Sequence, residues 1–249
     1  MPWWVWPTSG AILGSLFGSF IAALVIRWPL GQSVISGRSA CDACGHALGA
    51  GELIPIVSAL IQRGKCCHCG AAIDQRHLAI EVGAAFVGGV ALGVSPGLAG
   101  LAGAVFGWIL IALIALDSAH YWLPDKLTLL LLIIGLGVGL VGIDPPFFDR
   151  LWGGAAGYLS LAAIAFAYKR VRGRDGLGGG DPKLLGAIGA WLGWQWLPMV
   201  LLGGSGIGLL YVLFRTVRGT PMVATDRLPL GALMALAAFP LWVYSIAGF

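Results

Sequence analysis

The chain has 249 residues, of which 58% are hydrophobic and only 10% charged. A soluble domain carries about 25% charged residues. This composition, with a mean hydropathy of +0.89, therefore excludes an ordinary water-soluble globule, and a net charge of +4 is too small to suggest nucleic-acid binding.

A membrane span needs about 20 predominantly apolar residues. Eight such segments are predicted, at roughly 8–26, 78–94, 98–116, 127–143, 150–168, 183–195, 197–214 and 231–248. The predicted fold class is an all-α polytopic membrane protein of about eight transmembrane helices, with lipid as its immediate partner. The Trp-rich start, Met1 to Trp6, lacks the basic region of a cleavable signal and reads as an interfacial anchor. Gly14 to Gly18 and Gly135 to Gly139 mark candidate faces for close helix packing. The sixth span is short, and spans 6 and 7 are separated only around Gln195-Trp196, so the two are also readable as one hairpin that does not fully cross.

The basic residues orient these spans. Arg27, Arg38, Arg63, Lys65 and Arg76 lie between spans 1 and 2, and Lys126 between spans 3 and 4. Lys169, Arg170, Arg172, Arg174 and Lys183 lie between spans 5 and 6, and Arg215, Arg218 and Arg227 between spans 7 and 8. Only Arg150 falls on the opposite side. The positive-inside rule then predicts both termini outside and the long loops in the cytoplasm. The expected organisation is a first helix (1–26), a cytoplasmic metal-binding module (27–77) and a membrane domain (78–249).

The module carries two knuckles, Cys41-Asp42-Ala43-Cys44-Gly45 and Cys66-Cys67-His68-Cys69-Gly70. Each pair can aim two thiolates at one ion while the glycine turns the chain beneath it. Two knuckles about 20 residues apart predict a tetrahedral, structural Zn2+ site of Cys41, Cys44, Cys66 and Cys69. Cytoplasmic thiols stay reduced, and a loop with few large apolar residues needs a metal to fold. A redox pair and an iron–sulfur cluster are the alternatives. Cys67 is surplus and reads as filler. His68 could replace a ligand, although the symmetry of the knuckles favours cysteine.

Acidic residues near span ends are costly and need reasons. Asp117 ends span 3, where a carboxylate faces the negative end of the helix dipole and no capping role explains it. Asp181, before Pro182, has two open readings: an N-cap of span 6, or a functional carboxylate beside the flexible strip Gly178-Gly179-Gly180. Asp125 reads chiefly as the N-cap of span 4, and Asp144 and Asp149 as turn residues. Asp117 and Asp181 are predicted at one depth on one face. Two carboxylates sharing a low-dielectric site provide one acid and one base, the pairing that activates water against a peptide carbonyl.

The motif Gly178-Gly179-Gly180-Asp181-Pro182-Lys183 resembles the G-x-G-D signature of the bacterial type IV prepilin peptidases. Asp117, seven residues before Pro124-Asp125-Lys126-Leu127-Thr128, is similar to the family's second motif. Further likeness runs through Gly18-Ser19-Phe20, Arg27-Trp28-Pro29, Ile54-Pro55 with Ser58, Arg63-Gly64-Lys65-Cys66, Glu81 and Leu228-Pro229-Leu230-Gly231. The resemblance implies an intramembrane aspartyl endopeptidase of the bacterial inner membrane. It would cut basic leaders from prepilins or type II secretion pseudopilins, with Asp117 and Asp181 catalytic. Gly178, Gly179, Gly180, Lys183 and Asp125 become the candidate substrate-binding residues.

Many members of that family also N-methylate the new N-terminus with S-adenosylmethionine. Here the chain departs from the pattern: Ala22 and Leu53 stand where asparagines are usual, and Asp42 where the first knuckle usually has proline. A transporter or proton channel, and a non-catalytic assembly protein docking through its zinc module, are the competing classes.

Overall fold

The computed structural model describes residues 2–34, 39–41, 43–220, 222 and 226–248; Met1, Arg38 and Asp42 of the sequence reading lie outside the described residues. Nine α-helices occur among these residues: α1 (Val5–Arg27), α2 (Val57–Ile61), α3 (Gln75–Val94), α4 (Leu98–His120), α5 (Asp125–Leu140), α6 (Phe147–Arg172), α7 (Asp181–Leu192), α8 (Leu197–Val217) and α9 (Leu230–Ala247). The only β pairing among the described residues is two isolated bridges, Ala40 with Ala47 and Lys65 with Ala72.

Among the described residues, six helices are long and apolar enough to cross a membrane: α1 (with the 3-10 turn after it), α3, α4, α6, α8 (with the 3-10 turn before it) and α9. The expected eight spans therefore become six full-length ones and two shorter helices. At 1.5 Å per residue, α5 reaches about 24 Å and α7 about 18 Å, against a hydrocarbon core of about 30 Å. Apolar runs at 127–143 and 183–195 suggested spans, but composition does not reveal where a helix stops. Val141 leaves α5 before a Gly142 turn, and Gly193, at φ 82°, ends α7.

The chain divides into two compact units, Met1–Ala112 and Leu113–Phe249, with the division inside α4. In the first, α1 and α3 pack antiparallel through small residues. A Cβ on Gly10 would strike the carbonyl of Gly88, one on Gly14 the carbonyl of Ala84, and one on Gly18 would lie 2.8 Å from Glu81 Cα. The Gly14 to Gly18 face is thus used for close backbone approach. Trp108 of α4 completes the layer, stacking on Phe17 at 4.7 Å and donating its Nε1–H to Ala84 O at 2.9 Å. Asp74 starts α3 as its N-cap, accepting the Arg76 N–H at 2.8 Å.

In the second unit, α7 is the centre. Every residue from Asp181 to Leu192 is buried except Lys183. A helix that is apolar all round needs neighbours all round. Against α6 it packs antiparallel: a Cβ on Gly153 would overlap Gly189 O, and one on Gly157 would sit 2.6 Å from Leu185 O. Toward α5, the Trp191 indole donates to Leu131 O at 2.8 Å and covers Gly135. The expected Gly135 to Gly139 face is accordingly split. Gly135 meets Trp191 and Gly139 meets Arg150, whereas Gly137 has open space.

Arg150 binds this end together. Its side chain is buried and donates to five carbonyls: Pro145, Gly135, Ala190, Ile143 and Asp144, at 2.8–3.2 Å. Ala190 belongs to the last turn of α7, whose carbonyls have no intrahelical partner. The guanidinium supplies one, and its charge complements the negative helix end.

Candidate active site and metal centre

Asp117 lies three residues before the end of α4, and its side chain is buried. Its Oδ2 accepts the Ala232 N–H at 2.7 Å. Ala232 is in the first turn of α9, where backbone N–H groups lack intrahelical acceptors and the helix dipole is positive. Pro229, the residue at the N-cap of α9, gives no side-chain cap. Asp117 therefore caps a helix after all, one more than a hundred residues away, and the sequence offers no local sign of it.

Asp181 opens α7 and is also buried. The N-cap reading is not how its side chain is used. Gly180 holds the N-cap position, and the Asp181 Oδ2 accepts the Gly178 N–H behind it at 3.1 Å. The two carboxylates converge at Gly231. A Cβ there would lie 3.0 Å from Asp117 Oδ2 and 3.2 Å from Asp181 Oδ1. These oxygens can therefore be no farther apart than those two distances laid end to end.

Leu123 forms the wall. A Cβ on Gly180 would be 2.7 Å from Leu123 Cβ, and one on Gly231 would be 2.7 Å from its Cδ1. The three glycines before Asp181 thus differ. Gly178 leaves room for the Asp181 carboxylate and Gly180 for Leu123, while Gly179 faces open space. Tyr121 turns the chain out of α4 at φ 50°, a conformation disfavoured for a bulky residue, and its hydroxyl donates to Arg227 O at 3.1 Å. Gly231, Ala232, Leu123 and Tyr121 were not foreseen as site residues. Only Gly231 had a signal, at the end of Leu228-Pro229-Leu230-Gly231.

Asp125 does not act as an N-cap, since Pro124 takes that position and no side-chain cap forms. Its Oδ1 instead accepts Lys183 Nζ at 2.7 Å, pairing the first turns of α5 and α7. Both residues sit at the rim of a cleft of about 480 Å³ lined by Thr128, Leu132, Tyr158 and Ala187. Asp149 holds the turn after α7, accepting from Trp194 Nε1 at 3.3 Å and Gln195 Nε2 at 3.2 Å.

In the first unit, the two knuckles have the same build. Gly45 N–H bonds Cys41 O at 2.8 Å, and Gly70 N–H bonds Cys66 O at 2.9 Å. Gly45 and Gly70 have φ of 71° and 73°, a region favouring glycine. The sulfurs of Cys41, Cys44, Cys66 and Cys69 all lie within 4.8 Å of one another, with Cys41 and Cys69 at 3.9 Å. Tetrahedral Zn–S bonds of about 2.3 Å require sulfur separations of about 3.8 Å, so the residues fit zinc. The Cys66 thiol is pushed down to about 7 by the N–H groups of Cys69 and His68, whereas that of Cys44, against the lowering pull of a backbone bond at His46, is pushed up to about 12 by burial and by Cys69 and Cys41. Cys67 is outside this group and is not filler: its thiol donates to Glu52 Oε1 at 2.7 Å.

Buried Glu81 of α3 accepts the Ile56 N–H at 2.8 Å and faces His77 Nδ1 at 3.3 Å. It holds a β-branched residue at φ 64°, beside the tight Val57 N–H to Pro55 O bond of 2.6 Å. Such strain persists only where the surroundings over-determine it. Glu81, Glu52 and Leu53 line an open cavity of about 1180 Å³ between the knuckles and helices α1 and α3.

The profile of the Bacterial Peptidase A24 N-terminal domain matches residues 12–93, and that of the Type IV leader peptidase family matches residues 104–213. The chain is 38% identical over 253 residues to the prepilin leader peptidase/N-methyltransferase of Burkholderia pseudomallei (strain K96243), covering 90% of this chain and 81% of that protein. This chain belongs to the type IV leader peptidase family. Family relatives of the same name include one from Aeromonas salmonicida, 43% identical over 70% of this chain, and one from Pseudomonas aeruginosa, 36% identical over 92%. The match covers 60% of the Aeromonas relative's length and 87% of the Pseudomonas relative's. No solved structure matches the chain. As a leader peptidase family member with several apolar spans, it is an integral protein of the inner membrane.

Proposed function

We propose that the chain is an aspartyl endopeptidase that removes the basic leader from prepilins or pseudopilins at the cytoplasmic face of the membrane. The observation that carries this reading is the convergence of Asp117 and Asp181 on one point at Gly231. A water held between them gives its proton to the ionised carboxylate as its oxygen bonds to the scissile carbonyl carbon. The other carboxyl protonates the carbonyl oxygen. Collapse of the resulting diol breaks the C–N bond, the amine takes a proton from the first carboxyl, and the second regains its own. The Ala232 and Gly178 N–H groups hold the two carboxylates in place. Gly179, with open space above it, lets an extended substrate backbone approach, and the Asp125–Lys183 pair marks the cleft beside it. The cytoplasmic assignment rests on the basic residues clustered in the loops between spans.

The test is to mix detergent-solubilised protein with a purified prepilin and weigh the product. Wild type should release a leader-sized mass, and Asp117→Asn and Asp181→Asn should leave the precursor whole at normal abundance. Cleavage by both variants at the wild-type rate would end the proposal.

The cavity of the first unit favours methyl transfer as a second activity. Its volume leaves room for a small ligand, whose pockets are roughly 300–1,000 Å³, and the Glu81 carboxylate on its lining suits a cationic, hydroxyl-rich donor such as S-adenosylmethionine. When bound, that group supplies the methyl. Leu53 lines this cavity and Ala22 is fully buried in α1, so neither offers the polar side chain usual in the family. A methyl-sized mass gain on the cleaved pilin after S-adenosylmethionine is added would support the activity. Cleaved but unmodified pilin would remove it.

A further inference from the structure

The surplus cysteine lies in a second cluster of metal-binding groups. His46, Glu52 and Cys67 place an imidazole nitrogen, a carboxylate oxygen and a sulfur within 4.8 Å of one another. They come from three separate segments: the exit of the first knuckle, the 3-10 turn Ala50–Leu53, and the second knuckle. Glu52 is already oriented, because its Oε2 accepts the Gly49 N–H at 2.7 Å. Its Oε1 accepts the Cys67 thiol at 2.7 Å, and His46 Nε2 stands 3.9 Å from Oε2. His68 stacks on His46 with ring centroids 4.6 Å apart and planes 10° from parallel.

We propose that His46, Glu52 and Cys67 form a second zinc site, with mixed ligands, beside the four-cysteine centre. Zinc binds imidazole, carboxylate and thiolate alike, at about 2.0–2.3 Å. Donors arranged tetrahedrally at those lengths are separated by about 3.3–3.8 Å. The Cys67–Glu52 contact opens to that range and the His46–Glu52 contact closes to it. Cys67 is exposed and His46 and Glu52 are half-buried, so no packed core opposes either change. The thiol proton passes to solvent as the metal takes its place. Three protein donors leave a fourth position for water or for His68. This ligand set selects a borderline metal over Mg2+ or Ca2+, which take oxygen donors.

The site would clip the Ala50–Leu53 turn to both knuckles. Glu52 and Leu53 of that turn line the large cavity. Metal at the second site would therefore fix one rim of the cavity, whereas the four-cysteine ion holds the knuckles together.

The test uses the full chain in detergent, brought to equilibrium with buffered Zn2+ and analysed by elemental mass spectrometry. Wild type should plateau at two zinc ions per chain. Cys67→Ser and Glu52→Gln should each plateau at one, the retained ion reporting an intact four-cysteine centre. Co2+ added to protein already carrying one Zn2+ should give a weak thiolate charge-transfer band that Cys67→Ser abolishes. A single ion in wild type overturns the proposal, as do two ions in both variants. Loss of all zinc in Cys67→Ser also overturns it, because Cys67 would then belong to the first centre.

Discussion

Arg150→Leu is expected to be the most damaging single change remote from the aspartates. The guanidinium serves five carbonyls. Those of Ile143, Asp144 and Pro145 lie in the loop before α6, where water can replace the arginine. The bonds to Gly135 and Ala190 are buried between α5 and α7. An orphaned buried carbonyl costs about 1–3 kcal/mol, so the two together cost about 2–6 kcal/mol. Relief from burying a charge offsets part of this, leaving a net loss of about 2–4 kcal/mol. For a unit of this size that lowers the unfolding midpoint by roughly 6–12 °C. Thermal unfolding in detergent, followed by tryptophan fluorescence, reads the shift, since Trp191 packs over Gly135 in the same layer. Gly139→Ala should act in the same direction, because its Cβ would lie 2.6 Å from Arg150 Cδ, and Gly137→Ala, in open space, should not. Arg150→Leu unfolding at the wild-type temperature would refute the reasoning.

Four other outcomes are expected. Gly231→Ala places a methyl 2.7 Å from Leu123 and about 3 Å from both carboxylates; it should lower leader cleavage at least about tenfold while the unfolding midpoint moves little, and equal cleavage would dissociate Gly231 from the site. Gly179→Ala meets no atom within 4 Å, so it should leave stability unchanged yet raise KM for prepilin if that backbone is approached by substrate; steady-state kinetics decide. Gly153→Ala sets a methyl against the Gly189 carbonyl and should destabilise the second unit by about 1–3 kcal/mol, measured by the same fluorescence assay. Stripping zinc with a strong chelator, or Cys66→Ser, should make the segment between α1 and α3 protease-sensitive, as limited proteolysis would show.

Parts of the candidate site stand out in the sequence because their residues break a local rule. Asp117 stands at a helix C-terminus where no local capping role explains it, three glycines precede Asp181 where an N-cap needs none, and the spacing of the two knuckles brings together four cysteines that could hold a metal. Other residues were misread because their partners are distant in sequence. Asp125 looks like an N-cap beside Pro124, but Lys183 of another helix takes its carboxylate. Cys67 looked idle because Glu52, its partner, lies in a different turn of the module.

The sequence by itself determined that this is a membrane protein, which segments are apolar helices, and which four cysteines come together in a cluster that could hold a metal. These follow from composition, from the length of apolar runs and from short-range spacing, none of which needs a partner to be read. Tertiary structure decided that α7 is a buried core helix of 12 residues, that Arg150 ties its end to α5, and that the N-terminus of α9 comes to Asp117. Those are pairings between residues 15 to 115 apart in sequence, where any carbonyl or amide could have been the partner. Backbone groups are the same in every residue, so no side-chain pattern names the one that a buried charge will meet.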